Sequence, residues 1–182
     1  MSIIRIPDEN YPQKTIVLKD SVFHSYMGQY FLGQTDMIRY GGELQAWGGL
    51  FNPPNSMVNM FLNAYTISNF TDQPITAEGW IGGCFSGKVQ TSSHFAAGNQ
   101  SIFPPTQPMV LIQSASYASD SPMSGSYTFT RRVEASMTLT KHDFQGMYII
   151  PPGSSFVLFF LPPGKKHVSV KIAFGWWEEE LG

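Results

Sequence analysis

The residues able to do chemistry are few and dispersed. Four histidines, His24, His94, His142 and His167, are scattered through 182 residues. None belongs to an H-x-H, H-E-x-x-H or Cys/His pattern, the spacings that put metal ligands within reach of one ion. His142 stands at a strand end and His167 on the polar face of the last strand. Cys84 is the single cysteine, so no intrachain disulfide forms. It follows Gly82 and Gly83 in an apolar stretch and is expected to be a buried thiol. Pairing with His94 as nucleophile and base requires the intervening loop to fold back. No G-x-S-x-G elbow and no glycine-rich phosphate loop is present.

Carboxylates give no stronger signal. Most of the 13 acidic residues sit at turns or termini, and Glu78, within a strand, is the least ordinary. Glycoside hydrolysis needs two facing carboxylates, and one does not make a pair. These patterns predict a protein without catalytic residues, metal or cofactor.

Aromatic residues leave more room for binding. Trp47, Trp80, Trp176 and Trp177 accompany 8 tyrosines and 14 phenylalanines. Large aromatics fill sandwich cores, and exposed ones stack on sugars or anchor interfaces. The alternation of residues 168–176 puts Trp176 on the apolar face and turns Trp177 the other way. Trp177, beside the acidic run Glu178–Glu180, is therefore a candidate ligand or interface contact. A second candidate is the N-terminal arm, residues 1–14, whose Ile3, Ile4 and Ile6 suit packing on a neighbouring subunit.

The elements that must hold these residues are strands. Charged residues make up only 13% of the chain, against 42% hydrophobic, with 17 Gly and 13 Pro. That balance suits a β protein with many turns and excludes a helical bundle or a disordered chain. Strands are expected over residues 15–19, 22–32, 57–70, 75–85 and 109–117, the fourth as hairpin partner of the third. The strongest alternation of all covers residues 127–140. Residues 156–161 are apolar on both faces and so suit a central strand covered on both sides. Pro-Pro pairs at 53, 104, 151 and 162 stop strands, because proline cannot extend a ladder. Gly41–Gly42 and Gly48–Gly49 are taken as turns around Trp47, and residues 88–108 as the longest loop. About eight or nine strands and no helix imply an all-β antiparallel two-sheet sandwich. A jelly roll is the first choice, with an immunoglobulin-like sandwich as the alternative, over a single domain at residues 15–182.

Charge bounds the partners. The net charge is −2 and no Lys/Arg cluster exceeds a pair, so nucleic acid is not an expected partner. No stretch approaches 18 apolar residues, which excludes a membrane-spanning helix. The first residues lack the features of a signal peptide, so synthesis in the cytoplasm is expected.

Three pieces together carry a resemblance: Tyr148-Ile-Ile-Pro-Pro-Gly-Ser-Ser-Phe-Val-Leu, the alternating strand from Val168 to Phe174, and its Trp176-Trp177-Glu178 end. They resemble the C-terminal half of jelly-roll subunits of bacterial and phage assemblies, such as head-fibre and appendage proteins. The whole chain is also similar in style to uncharacterised proteins of spore-forming Firmicutes. The resemblance implies no functional residues. The lack of catalytic patterns, the low charge, the absence of a signal peptide and the apolar N-terminal arm lead to the expectation of a non-enzymatic structural protein that self-assembles into a fibre, shell, lattice or crystal, and the resemblance implies association with a spore or phage particle. The alternative is a β-sandwich module that binds a glycan or a receptor.

Overall fold

A computed structural model describes residues 2–5, 15–142, 144 and 147–182. Two antiparallel sheets face each other across an apolar core. The strands are β1 (Ser2–Arg5), β2 (Thr15–Leu18), β3 (Tyr30–Gln34), β4 (Ile38–Gly42), β5 (Gln45–Phe51), β6 (Val58–Asn69), β7 (Ile75–Ile81) and β8 (Gln90–Ser92). They continue as β9 (Phe95–Ala97), β10 (Leu111–Ala118), β11 (Ser126–Val133), β12 (Thr138–Lys141), β13 (Tyr148–Ile150), β14 (Ser155–Phe160) and β15 (Gly164–Glu180). One short helix, α1 (Asp20–Tyr26), precedes β3.

The first sheet runs β12, β6, β15, β3, β9, with β13 also on β6 and β4 also on β15. The second runs β11, β7, β14, β5, β10, β8. The chain changes sheet between β4 and β5, β5 and β6, β6 and β7, β8 and β9, β9 and β10, β11 and β12, β13 and β14, and β14 and β15. The last two strands each lie in the middle of a sheet, between strands formed much earlier. That order is the double Greek key of a jelly roll. It excludes the immunoglobulin-like alternative, in which the last strand lies at a sheet edge.

Alternation builds the core. Val168, Val170, Ile172, Phe174 and Trp176 of β15 point inward and are buried. They meet Phe156, Leu158 and Phe160 from β14 in one cluster. The outward residues of β14, Val157 and Phe159, are buried as well, in a second cluster with Trp47, Ala115 and Ala118. The chain after β7 covers this face, with Phe85 packed on it and Trp47 Nε1 donating to the Ser86 carbonyl at 2.7 Å. Residues 156–161 are thus covered on both sides, as their composition predicts.

Several local expectations are corrected. Residues 22–32 do not form one strand. Residues 20–26 are helical, with His24 in the last turn and Asp20 in the first, where a carboxylate complements the helix dipole. Gly28 ends the helix at φ +76°, with the Gly28 N–H on Ser25 O and the Gln29 N–H on His24 O. These two bonds form a Schellman motif. β6 and β7 lie in different sheets and do not pair as a hairpin. Residues 127–140 divide between β11 and β12, in opposite sheets, around a corner where Ser136 has φ +56°. Phe129, Val133 and Leu139 keep the inward parity across the corner, whereas Met137 at the corner and Tyr127, beyond a bulge in β11, are exposed. Gly48 and Gly49 are no turn but the middle of β5. A Cβ on Gly49 would lie 2.3 Å from Phe156 O, so this glycine permits the close approach of β14.

The segment between β7 and β11 is an insertion that widens both sheets. β10 and β8 extend the second sheet beyond β5, and β9 extends the first beyond β3. The expected loop at 88–108 therefore contains two short strands. Glu178 of β15 anchors its far end. Its carboxylate accepts from Met109 N (2.9 Å), Val110 N (3.1 Å) and Trp176 Nε1 (3.0 Å). Burial pushes the Glu178 carboxyl above the usual range, and these hydrogen bonds only partly oppose it.

Replacing Glu178 with Ala leaves three buried donors without their acceptor and should cost about 2–4 kcal/mol. The folded carboxyl holds its proton more tightly than the unfolded one. Its contribution therefore favours folding in full below the usual carboxylate range and is lost as pH rises through the raised folded value. The stability gap between the native chain and Glu178→Ala should be widest in acid and narrow across that window. Urea unfolding over a pH series measures it, and a gap that widens with pH contradicts this account.

Candidate functional surface

Trp177 lies on the outer face of the first sheet, as the alternation predicts, yet it is only 2% exposed. Helix α1 covers it. The indole is sandwiched between Phe61 of β6, its cross-strand partner (5.3 Å, 4° between planes), and His24 of α1 (5.2 Å, 7°). Trp177 Nε1 donates to Glu179 Oε1 at 3.0 Å, and His24 Nε2 lies 3.1 Å from the same oxygen. His24 Nδ1 lies 2.9 Å from Gln29 Oε1. Trp177 is therefore a clamp for α1 and not an open platform. The expectation of a ligand or interface contact at this residue is corrected, because its ring faces are already occupied.

The clamp creates a surface beside it. Between α1, β3 and the turn after β9 runs an open groove of about 620 Å³. Its lining includes Tyr26, Tyr30, Asn63, Asn99, Gln100 and Ser101, and among the described residues it carries no charged one. Asn63 Nδ2 donates to the Tyr30 hydroxyl at 3.0 Å. Burial pushes the Tyr30 hydroxyl up, so it remains a proton donor at neutral pH. Asn99 Nδ2 donates to Tyr26 O, and Thr106 Oγ1 donates to Gly28 O, so the insertion fixes the C-terminal end of α1. The Tyr26 ring stands two-thirds exposed at the rim. Amides, hydroxyls and a ring without charge suit a neutral ligand rich in hydroxyl groups. The signal for this site was present as Gly28 after an Asp-led turn, but the Phe and Tyr of residues 22–32 concealed it.

The N-terminal candidates fall on a separate element. Ile3 and Ile4 lie in β1, which pairs only with β2 among the described residues. The register sets Ile3 opposite Val17 and Ile4 opposite Ile16. Ile6 lies outside the described residues. The segment 15–18, expected to open the sandwich, belongs to this ribbon.

The remaining candidates stay apart. Cys84 is exposed, not buried, and forms an isolated bridge with Met123. His94 lies 3.1 Å from Asp36 Oδ1. Glu78 accepts from Trp80 Nε1 at 3.1 Å, a contact between neighbours on one strand face. Among the described residues, no three of His, Cys, Asp and Glu are grouped closely enough to hold a metal ion. No helix among them is long and apolar enough to cross a membrane.

A family model matches residues 3–182, which is nearly the whole chain. The chain belongs to DUF6143, a family of unknown function. The match includes the β1 segment and the insertion together with the sandwich, so both are part of the family's unit. No curated protein and no solved structure matches the chain.

Trp177→Ala should cost about 3–5 kcal/mol, the range for removing a buried aromatic ring. It should also release α1 first. Hydrogen exchange should show protection lost over residues 20–26 well before the core of β15. Unchanged protection of α1 in the variant contradicts the clamp.

Proposed function

We propose that this protein is a non-enzymatic structural protein that assembles with copies of itself through its N-terminal ribbon. One observation carries this reading. The register of β1 on β2 sets Ile3 opposite Val17 and Ile4 opposite Ile16. These paired positions are all apolar residues, and a two-stranded ribbon of that composition needs cover. Val17 is half-exposed in the single chain. Two strands alone are also marginal in water, so the ribbon needs a third layer.

The edges of the main sheets support the same choice. β8 and β9 are three residues long, β11 carries Arg131 and Arg132, and β12 ends in Lys141. Short and cationic edges resist strand addition. Low net charge permits close approach of copies. The setting proposed from the resemblance is a bacterial spore or a phage particle.

A second reading rests on the uncharged groove beside α1: a module for a glycan or a glycan-bearing receptor. It predicts a saturable signal on a glycan array that Tyr26→Ala removes.

Negative-stain microscopy and sedimentation of the purified chain test the first reading. The full chain should form ordered species that grow with concentration. Deleting residues 2–12 should leave a folded monomer by circular dichroism. A full-length chain that stays monomeric at high concentration overturns the proposal.

A further inference from the structure

The side of the sandwich opposite the insertion holds a slot that the self-assembly reading does not use. β11 and β12 are edge strands of opposite sheets, so the core comes close to solvent between them. Four rings converge there. Tyr65 of β6 is buried at the floor and stacks on Phe129 of β11 (5.9 Å, 7°) and on Phe144 (5.9 Å, 25°). Tyr148 of β13 meets Phe144 edge-on at 5.1 Å. The slot between them has a volume of about 200 Å³.

Two cations stand among these rings. Arg131 Cζ is 4.9 Å from the Phe129 centroid, and Lys141 Nζ is 5.7 Å from the Phe144 centroid. Both residues line the slot, and among the described residues no carboxylate does. Among the described residues neither forms an ion pair, while the neighbouring Arg132 is held by Glu134 at 2.8 Å. Arg131 also acts on the Tyr65 hydroxyl, drawing its affinity for the proton down while burial raises it. A guanidinium, an ammonium and a phenol thus surround one small apolar slot.

Each feature selects a part of a ligand. The rings take an apolar, flat body. The guanidinium offers paired N–H donors that match a carboxylate. Pockets for larger ligands hold about 300–1,000 Å³, so this slot admits one ring and little else. We infer that the slot formed by Tyr65, Phe129, Phe144 and Tyr148, with Arg131 and Lys141 at its mouth, binds a small aromatic carboxylate. This site is independent of the ribbon and of the groove beside α1.

The test titrates the full chain with benzoate, benzamide and acetate, followed by NMR of the aromatic resonances. Benzoate should bind saturably, one per chain, and shift the ring signals of Tyr65 and Phe129. Benzamide, which keeps the ring without the charge, and acetate, which keeps the charge without the ring, should each bind about tenfold more weakly. Arg131 is exposed, so Arg131→Gln should keep the native spectrum and still weaken benzoate about tenfold. Absence of a saturable benzoate shift overturns the proposal. So does equal binding of benzoate with benzamide or with acetate, or undiminished benzoate binding by a folded Arg131→Gln chain.

Discussion

Both edges of β15 are occupied, and much of the molecule is arranged around that fact. On one side β6 pairs with it from Val170 to Glu180. On the other, β4 and β3 pair with it in succession. A strand so placed joins three earlier strands and forms last along the chain, so the first sheet cannot close until the end of the sequence is in place. Long-range pairings of this kind impose loop-closure cost before they contribute stability. Once formed, the strand fixes both faces of its sheet. Its inward residues fill the core, and its outward Trp177 and Glu179 hold α1.

The bulge between Gly175 and Trp176 sharpens this double role. At that point β6 contributes an extra residue, Asn63, opposite β15. The extra residue is the one that reaches the Tyr30 hydroxyl and lines the groove. Bulges re-aim side chains in this way. Beyond the bulge, Trp176 still points inward and hands its indole N–H to Glu178, which in turn ties down the insertion. One strand therefore couples the core, the helix and the insertion. Change at its end is felt at the groove as well as in stability.

The sandwich was legible where alternation and strand breakers agreed. Val168 to Trp176 and the doubly apolar 156–161 named the two central strands, and Pro-Pro corners bounded the latter on both sides. Legibility failed where a second layer decides conformation. Phe23 and Tyr26 favour a strand by composition, but the outward Trp177 needs cover, and a helix supplies it with His24. Nothing near His24 in sequence refers to residue 177. The corner between β11 and β12 was hidden for the opposite reason: both halves keep the same inward period, so no break shows in the pattern. The slot at Tyr65 was invisible because its rings come from residues 65, 129, 144 and 148, brought together only by the crossing of sheets.

Scarcity of charge gives the surface its division of labour. Glu178 is buried and spent on the insertion, and the partly exposed Glu179 is spent on the clamp. Asp36 faces His94, and Arg132 faces Glu134. Among the described residues that leaves the groove lining without charge and the β11–β12 side with two cations free of acidic partners. An uncharged surface loses little when it leaves water, whereas a desolvated cation must find an anion. The groove end is thus the surface suited to neutral partners, and the β11–β12 side is suited to an anion. With the edges of both main sheets short or cationic, growth by adding strand to strand along a sheet is disfavoured. On the proposed reading, strand addition between copies is then left to the ribbon. Such a contact has a defined partner and a defined end, which is what separates an ordered assembly from edge-to-edge aggregation.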